Sequence, residues 1–187
     1  RGAASRRGPV AVMLHGFGAN ANDLVPLSGA FSTVAKWYFP HAPVSVQVAG
    51  MTLGRAWFPK DMEGLTAALY GSYFQDLRSL EPEELGTAAE MVRDLVESRL
   101  EPERPFMLGG FSQGAMVAAE YARRVVQFNW RRPCCLVLFS GALIAERWWG
   151  STLNAAGEGA RGGAGVTGSR TNSLPPVFQS HGRHDSV

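Results

Sequence analysis

The stretch Phe106-Met-Leu-Gly-Gly-Phe-Ser-Gln-Gly-Ala115 decides the fold of this chain. Its first three residues form an apolar run that predicts a strand, residues 109–114 predict a sharp turn, and residues 115–126 predict a helix. Residues 110–114 also match the pattern Gly-x-Ser-x-Gly, in which a serine stands on a tight turn between a strand and a helix. The three elements occur in that order, so Ser112 is predicted to be a nucleophile.

The residues that flank Ser112 suit such a turn. Its sharpness forces the central residue into a strained backbone, and only glycine or a very small residue lets the strand and the helix approach each other. Gly109, Gly110, Gly114 and Ala115 meet that need. The first N–H groups of the helix then face the place where negative charge develops during acyl transfer. A chance match to a five-residue pattern is the alternative, and the agreement of three elements disfavours it.

Outward from this turn, short apolar runs alternate with helical patterns. This alternation predicts one α/β domain over residues 1–187, with a mostly parallel sheet and helices on both faces. The segment 44–77 has no clean period, so we expect a long, partly ordered binding loop or lid. Further strands are predicted at 10–14, 37–39, 134–139 and 177–179, and helices at 24–34 and 82–100, the first capped by Asn22 or Asp23.

Composition excludes several classes of protein. The 187 residues carry a net charge of only +2, spread along the sequence, which disfavours a nucleic-acid-binding protein. No apolar stretch reaches the roughly 18 residues of a membrane span, and no signal peptide is recognisable. Cys134 and Cys135 are expected to be reduced thiols in or near the core, because a disulfide between neighbours is strained. We therefore expect a cytoplasmic protein. The sequence leaves its oligomeric state open, and a homodimer is one alternative.

Residues 150–174 differ in composition from the rest of the chain. Seven of the residues from 150 to 170 are glycine, mixed with small polar residues. Such a segment buries too little apolar surface to order itself, so we expect a flexible surface insertion. A plain insertion without a function is the favoured interpretation, because surface loops tolerate extra length at little cost.

The loop His15-Gly-Phe-Gly18 follows the first clear strand. An oxyanion hole needs one N–H from such a loop and one from the residue after the nucleophile. We therefore expect the backbone N–H groups of Phe17 and Gln113 to bind the oxyanion. His15 is expected to brace the turn by hydrogen bonding rather than to act as a base.

Asp185 lies in a turn after the last predicted strand, where the acid of a Ser, acid, His order belongs. A serine hydroxyl is a weak nucleophile until an imidazole takes its proton, and a carboxylate orients that imidazole. Asp185 is therefore the candidate acid.

Four blocks of the sequence resemble one known family. They are Leu14-His-Gly-Phe-Gly-Ala-Asn-Ala-Asn-Asp23, Ala56-Trp-Phe-Pro59, Gly109-Gly-Phe-Ser-Gln-Gly-Ala115 and Ser180-His-Gly-Arg-His-Asp-Ser-Val187. In this order they are similar to the phospholipase/carboxylesterase family of serine hydrolases, which includes the acyl-protein thioesterases. The resemblance implies an α/β-hydrolase fold, no cofactor and no metal. It also implies a small-molecule or acylated substrate with an ester or thioester bond.

The same resemblance suggests a role for two aromatic residues. In the family, the tryptophan that matches Trp57 lies near the substrate groove, so Trp57 and Phe58 are candidate groove walls. Packing in the core beneath the long loop is an equally weighted alternative, since aromatic side chains are mostly buried for their bulk.

The sequence departs from the family after the acid. The family's general base is a histidine some tens of residues beyond it, but here only Ser186 and Val187 follow Asp185. Histidines occur at 15, 41, 181 and 184, none in the family's position. We therefore expect the chain to lack that base, the C-terminal strand and helix, and an early strand. A fragment, an interrupted gene and a degenerate hydrolase are alternative explanations.

Two functions follow from these observations. The first is a serine carboxylesterase or thioesterase that forms an acyl-enzyme on Ser112. The second is a catalytically dead pseudo-hydrolase or fragment that binds an acyl ligand or a partner protein through the same groove. The complete turn around Ser112 favours the first, and the missing base favours the second.

Overall fold

A computed structural model describes residues 8–59, 81–150, 152 and 174–180. Its main sheet has five strands in the order β2-β1-β5-β6-β7, all paired in parallel. The prediction of a mostly parallel sheet is confirmed. The strands of this sheet are β1 (Val10–Leu14), β2 (Lys36–Tyr38), β5 (Phe106–Phe111), β6 (Cys135–Phe139) and β7 (Val177–Ser180).

The pairing of β1 with β5 positions the predicted site. β1 is buried along its whole length, as its unbroken apolar run predicts. Its last residue, Leu14, stands opposite Gly110 of β5. Parallel strands end at the same edge of a sheet, so the loop that follows β1 and the turn that follows β5 lie side by side.

Two α-helices, α1 (Leu85–Arg99) and α2 (Gln113–Phe128), are described. The apolar stripe of α1 packs with α2 and with the alternate β1 residues Val10, Val12 and Leu14 in one core. Both of these helices therefore lie on the same face of the sheet, and helices on the opposite face stay a prediction. Residues 146–150 are also helical.

The interpretation of residues 44–77 as one irregular connection is wrong for its first part. β3 (Val44–Val48) and β4 (Met51–Ala56) form an antiparallel hairpin outside the main sheet. Ala49 and Gly50 turn the chain with φ of 50° and 78°, as a two-residue hairpin turn requires. Residues 60–77 lie outside the described residues.

The predicted first helix is also corrected. Residues Ala21–Gly29 form a 3-10 helix rather than an α-helix over 24–34. Its cap is Asn20, whose side chain accepts from the Asn22 N–H, while the Asp23 carboxylate accepts from the Asn20 N–H. Pro26 lies inside the segment and has no N–H to donate.

Cys134 and Cys135 are free thiols, as expected, but Cys134, just before β6, is exposed rather than in or near the core. Burial raises the pKa of the Cys135 thiol to about 11. The glycine-rich segment falls almost entirely outside the described residues. Among the helices of the described ranges, none has the length and apolar character needed to cross a bilayer.

Candidate active site

Ser112 stands between β5 and α2 with an unusual backbone. Its φ of 50° and ψ of −114° lie outside the regions that L-residues ordinarily adopt. Three hydrogen bonds hold this conformation. The Ser112 N–H donates to Phe139 O (2.9 Å), and its carbonyl accepts from the N–H groups of Ala115 and Met116. The strained turn that the Gly-x-Ser-x-Gly pattern predicts is therefore present, with α2 starting at the next residue.

Glycines around Ser112 allow the close approach on which the turn depends. A Cβ at Gly110 would lie 2.4 Å from the carbonyl carbon of Gly114, and one at Gly114 would lie 2.2 Å from Leu14 O. Any side chain at these positions would force β1, β5 and α2 apart. The two glycines of the motif are thus required by packing.

The loop after β1 reaches the nucleophile. A Cβ built on Gly16 would lie 3.5 Å from Ser112 Cβ and 3.2 Å from Phe111 Cδ1. Gly16, the residue before Phe17, therefore lies beside the serine. In the turns, loops and caps of the described residues, neither the Phe17 N–H nor the Gln113 N–H donates to a backbone carbonyl. Gln113 adjoins Ser112 in the chain and Phe17 follows Gly16, and the role of these two N–H groups as oxyanion donors stays a prediction.

His15 is fully buried and has both ring nitrogens occupied. Nδ1–H donates to Gly16 O (2.8 Å), and Nε2 accepts from the Ala42 N–H (3.0 Å). These partners define the neutral ring protonated at Nδ1. Burial lowers the pKa of His15 below its ordinary value of 6.5. His15 therefore braces the turn, as predicted, and has no free nitrogen with which to take a proton from Ser112.

Trp57 and Phe58 are 3% and 1% exposed and belong to the core. This burial matches the alternative of core packing, and contact with a groove stays a prediction. The Gln113 side chain holds their main chain: Oε1 accepts from the Trp57 N–H and Nε2 donates to Phe58 O, each at 2.9 Å. The indole Nε1–H of Trp57 donates to His15 O (2.8 Å).

The remaining predicted residues fall elsewhere. Asp185, His181 and His184 lie outside the described residues, so their roles stay predictions. His41 is exposed and its Nδ1 accepts from the Ala21 N–H at 3.4 Å, consistent with the absence of any predicted catalytic role.

Two further features bear on ligands. Within the described ranges, no three His, Cys, Asp or Glu side chains are grouped as a metal site would require. A cleft beside α2, lined by residues that include Met116, Glu120 and Leu143, has room for about one water molecule and is too small for an acyl chain.

Sequence reasoning missed the Gln113 side chain. It assigned this residue a role only through its backbone N–H, because the pattern Gly-x-Ser-x-Gly leaves the position free. The partners of its amide lie 55 and 56 positions earlier in the chain, so no local pattern signals them.

Solved structures with the same fold include esterases. The esterase PE8 is 26% identical, with a TM-score of 0.60 over 94% of this chain and 68% of that chain. Zea mays acyl-protein thioesterase 2 is 21% identical, with a TM-score of 0.63 over 94% and 71%. A phospholipase/carboxylesterase from Dyadobacter fermentans DSM 18053 is 16% identical, with a TM-score of 0.50 over 96% and 84%. The fold is that of the α/β-hydrolases.

A profile of one family, Phospholipase/Carboxylesterase, matches residues 3–160. The match includes the loop at 15–18 and the turn at 109–115, whereas Asp185 lies beyond it. Together with the esterase neighbour it indicates a hydrolase of the carboxylesterase class. The matched residues make up most of the chain and include the turn that holds the serine and the loop beside it. The chain therefore belongs to the phospholipase/carboxylesterase family.

Proposed function

We propose that this protein hydrolyses carboxylic esters or thioesters through an acyl-enzyme on Ser112. The observation that supports this most is the backbone of Ser112, whose φ of 50° is maintained at the first turn of a 16-residue helix. Strain of this kind persists only where the surrounding structure enforces it, and it concentrates at reactive positions. The resemblance of the surrounding motifs to serine hydrolases supports the same chemistry.

In the proposed reaction, Ser112 Oγ attacks the carbonyl carbon of the substrate and loses its proton to a base. The carbonyl oxygen becomes an oxyanion, which the N–H groups of Phe17 and Gln113 bind. Collapse of this intermediate expels the alcohol or thiol, which takes up a proton, and leaves the acyl group on Ser112. Water then attacks the ester carbon in the same way, releasing the acid and restoring the serine.

This reaction also needs a base that takes the proton of Ser112. Geometry argues against His15, because both of its ring nitrogens have partners. Resemblance to the family assigns Asp185 the role of orienting a histidine. Without a base, an oxyanion hole and substrate binding alone still accelerate acyl transfer roughly 10³- to 10⁴-fold over water.

An apolar surface beside the serine favours an acyl substrate. The side chain of Phe111 is 46% exposed although it adjoins Ser112 in the chain. An acyl chain that covered this ring would gain roughly 25 cal/mol for each Å² of apolar surface removed from water. Short and long acyl groups both satisfy this argument.

Hydrolysis of a p-nitrophenyl ester by the chain and by Ser112→Ala tests the proposal. The same pair is treated with a fluorophosphonate, which reacts only with an activated serine. We expect covalent labelling and turnover that both disappear in Ser112→Ala. An unlabelled chain that still binds the ester would support the alternative, a pseudo-hydrolase that binds an acyl ligand.

A further inference from the structure

The two proposed oxyanion donors belong to different parts of the chain. Phe17 lies on the loop after β1, whereas Gln113 is the first residue of α2. Their N–H groups act together only if the distance between them suits one oxygen atom. The structure must therefore contain a connection that fixes the loop relative to the helix.

Trp57 makes that connection. Its backbone N–H donates to the side chain of Gln113, and its indole N–H donates to the carbonyl of His15. His15 is two residues before Phe17 and is itself fixed by its ring bond to Gly16 O. One residue thus contacts both the helix that carries one donor and the loop that carries the other.

Burial gives these bonds a fixed geometry. His15, Trp57 and Gln113 are each at most 3% exposed, so water does not compete for their polar atoms. A buried donor or acceptor that loses its partner costs about 1–3 kcal/mol, which disfavours any other arrangement. The rings of His15 and Trp57 also pack at a centroid distance of 5.6 Å.

We propose that Trp57 and Gln113 are positioning residues that set the spacing of the Phe17 and Gln113 N–H groups, an inference that rests on the proposed function. Neither side chain reaches the substrate in this role. They act on the transition state only, because the oxyanion exists only there. Their loss should therefore lower kcat and leave KM nearly unchanged.

Trp57→Phe separates this role from that of a groove wall. The substitution keeps an aromatic ring in the core, keeps the backbone bond to Gln113 and removes the indole N–H. Acylation of Ser112 by p-nitrophenyl acetate, butyrate and octanoate is measured by stopped flow. We expect the rate to fall roughly 10- to 100-fold for all three esters, with KM within about twofold of that of the parent chain.

Trp130→Phe is the matched control. Trp130 packs against Tyr121 and Phe128, away from Ser112 in the contacts of the described residues. It should acylate at the parent rate. A Trp57→Phe variant that also acylates at the parent rate would overturn the positioning role. So would a KM of Trp57→Phe that, relative to the KM of the parent chain, rises with the length of the acyl chain. Absence of Ser112-dependent acylation in the parent chain would overturn the proposed function instead, and the inference with it.

Gln113→Glu supplies a second readout that a purely structural role would not produce. An ionised Glu can accept from the Trp57 N–H but repels Phe58 O, whereas a protonated Glu donates to it. Burial raises the pKa of such a carboxyl above that of an exposed Glu, so its protonation falls within a pH range in which the rate can be measured. The rate relative to that of the parent should therefore rise as the pH falls from about 8 to about 5.5. A ratio independent of pH would contradict the role of the amide.

Discussion

Two buried polar clusters in this molecule are built from different chemistry. Beside Ser112, His15, Trp57 and Gln113 bond to one another and to main-chain atoms, and no member carries a formal charge in the tautomer that the structure shows. About two turns further along α2, Glu120 binds Arg123 through both carboxylate oxygens at 2.7 and 2.8 Å. The second cluster is ionic although Glu120 is 2% exposed.

The ionic cluster connects helices. Glu120 also accepts from Arg124 Nε, and Arg124 continues to Glu90 of α1 at 2.8 Å. Long charged side chains suit this purpose because they span the gap between helices. Near an oxyanion an acidic member of such a cluster would be harmful, since a buried carboxylate would repel the developing negative charge. The two clusters thus differ in chemistry: charged side chains link the helices, and neutral hydrogen bonds hold the main chain near Ser112.

The largest expected effect is the loss of the acid in the ionic cluster. Glu120→Ala leaves Arg123 buried without its partner, and breaking one side of a buried pair costs about 3–5 kcal/mol. Urea unfolding should show that decrease in the free energy of unfolding. Labelling of Ser112 per folded molecule should be unchanged, because the neutral cluster is intact.

A double substitution sharpens that test. Replacing Glu120 with Leu and Arg123 with Met removes both charges together, which is often neutral for stability. The double variant should be more stable than Glu120→Ala alone. Equal destabilisation by the two variants would show that shape, and not charge, decides this region.

A loss of stability of similar size and a larger loss of activity are expected for Gln113→Leu. The substitution leaves the Trp57 N–H and the Phe58 carbonyl buried without partners, at about 1–3 kcal/mol for each unsatisfied group. Ser112 acylation should slow even where thermal unfolding shows the variant fully folded. Thermal unfolding and stopped-flow acylation are measured on the same preparation. A variant that loses stability but acylates at the parent rate would contradict the prediction.

The neutral cluster also predicts a dependence of stability on pH. The pKa of His15 is lowered in the folded protein, so the unfolded chain binds a proton more readily. The contribution of His15 to the free energy of unfolding should therefore be fully present above pH 6.5, the ordinary pKa, and should decrease as the pH falls from there through the lowered pKa. In His15→Gln this contribution is absent. Denaturation midpoints of both proteins at several pH values check it, and parallel curves would contradict it.

The smallest effect is expected at an exposed ion pair on α1. Arg93 and Asp94 are 2.8 Å apart, but their side chains are 39% and 69% exposed. Water and salt screen such a pair, so Asp94→Asn should change the free energy of unfolding by less than about 0.5 kcal/mol. A larger change in the urea midpoint would mean that burial is not what distinguishes Glu120 from Asp94.

Local patterns predicted the elements on which the site depends. The run Val10–Leu14 and the glycines around Ser112 have one physical interpretation each, a buried strand and a tight turn, and the structure contains both. The hairpin at 44–56 has a local signal in Val44–Val48, where apolar and polar residues alternate, but the segment 44–77 as a whole has no clean period. Ala49 is also an uncommon first residue for a two-residue turn.

The long-range part of the site had no local signal. Trp57 was identified as important from a resemblance, but whether it meets a ligand or the main chain depends on partners distant in sequence. The same holds for the Gln113 amide, whose partners are defined only when β1, β5 and the segment after β4 have come together. Hydrogen bonds of this kind are decided by tertiary structure.

Gln113 performs its proposed reaction chemistry through an atom that every residue except proline possesses. A saturation library at this position would nevertheless give a narrow set of active variants, since few side chains of this length both accept from the Trp57 N–H and donate to Phe58 O. Such a profile resembles that of a side chain that touches the substrate. For this protein, intolerance to substitution is therefore a poor guide to which atoms meet the ligand.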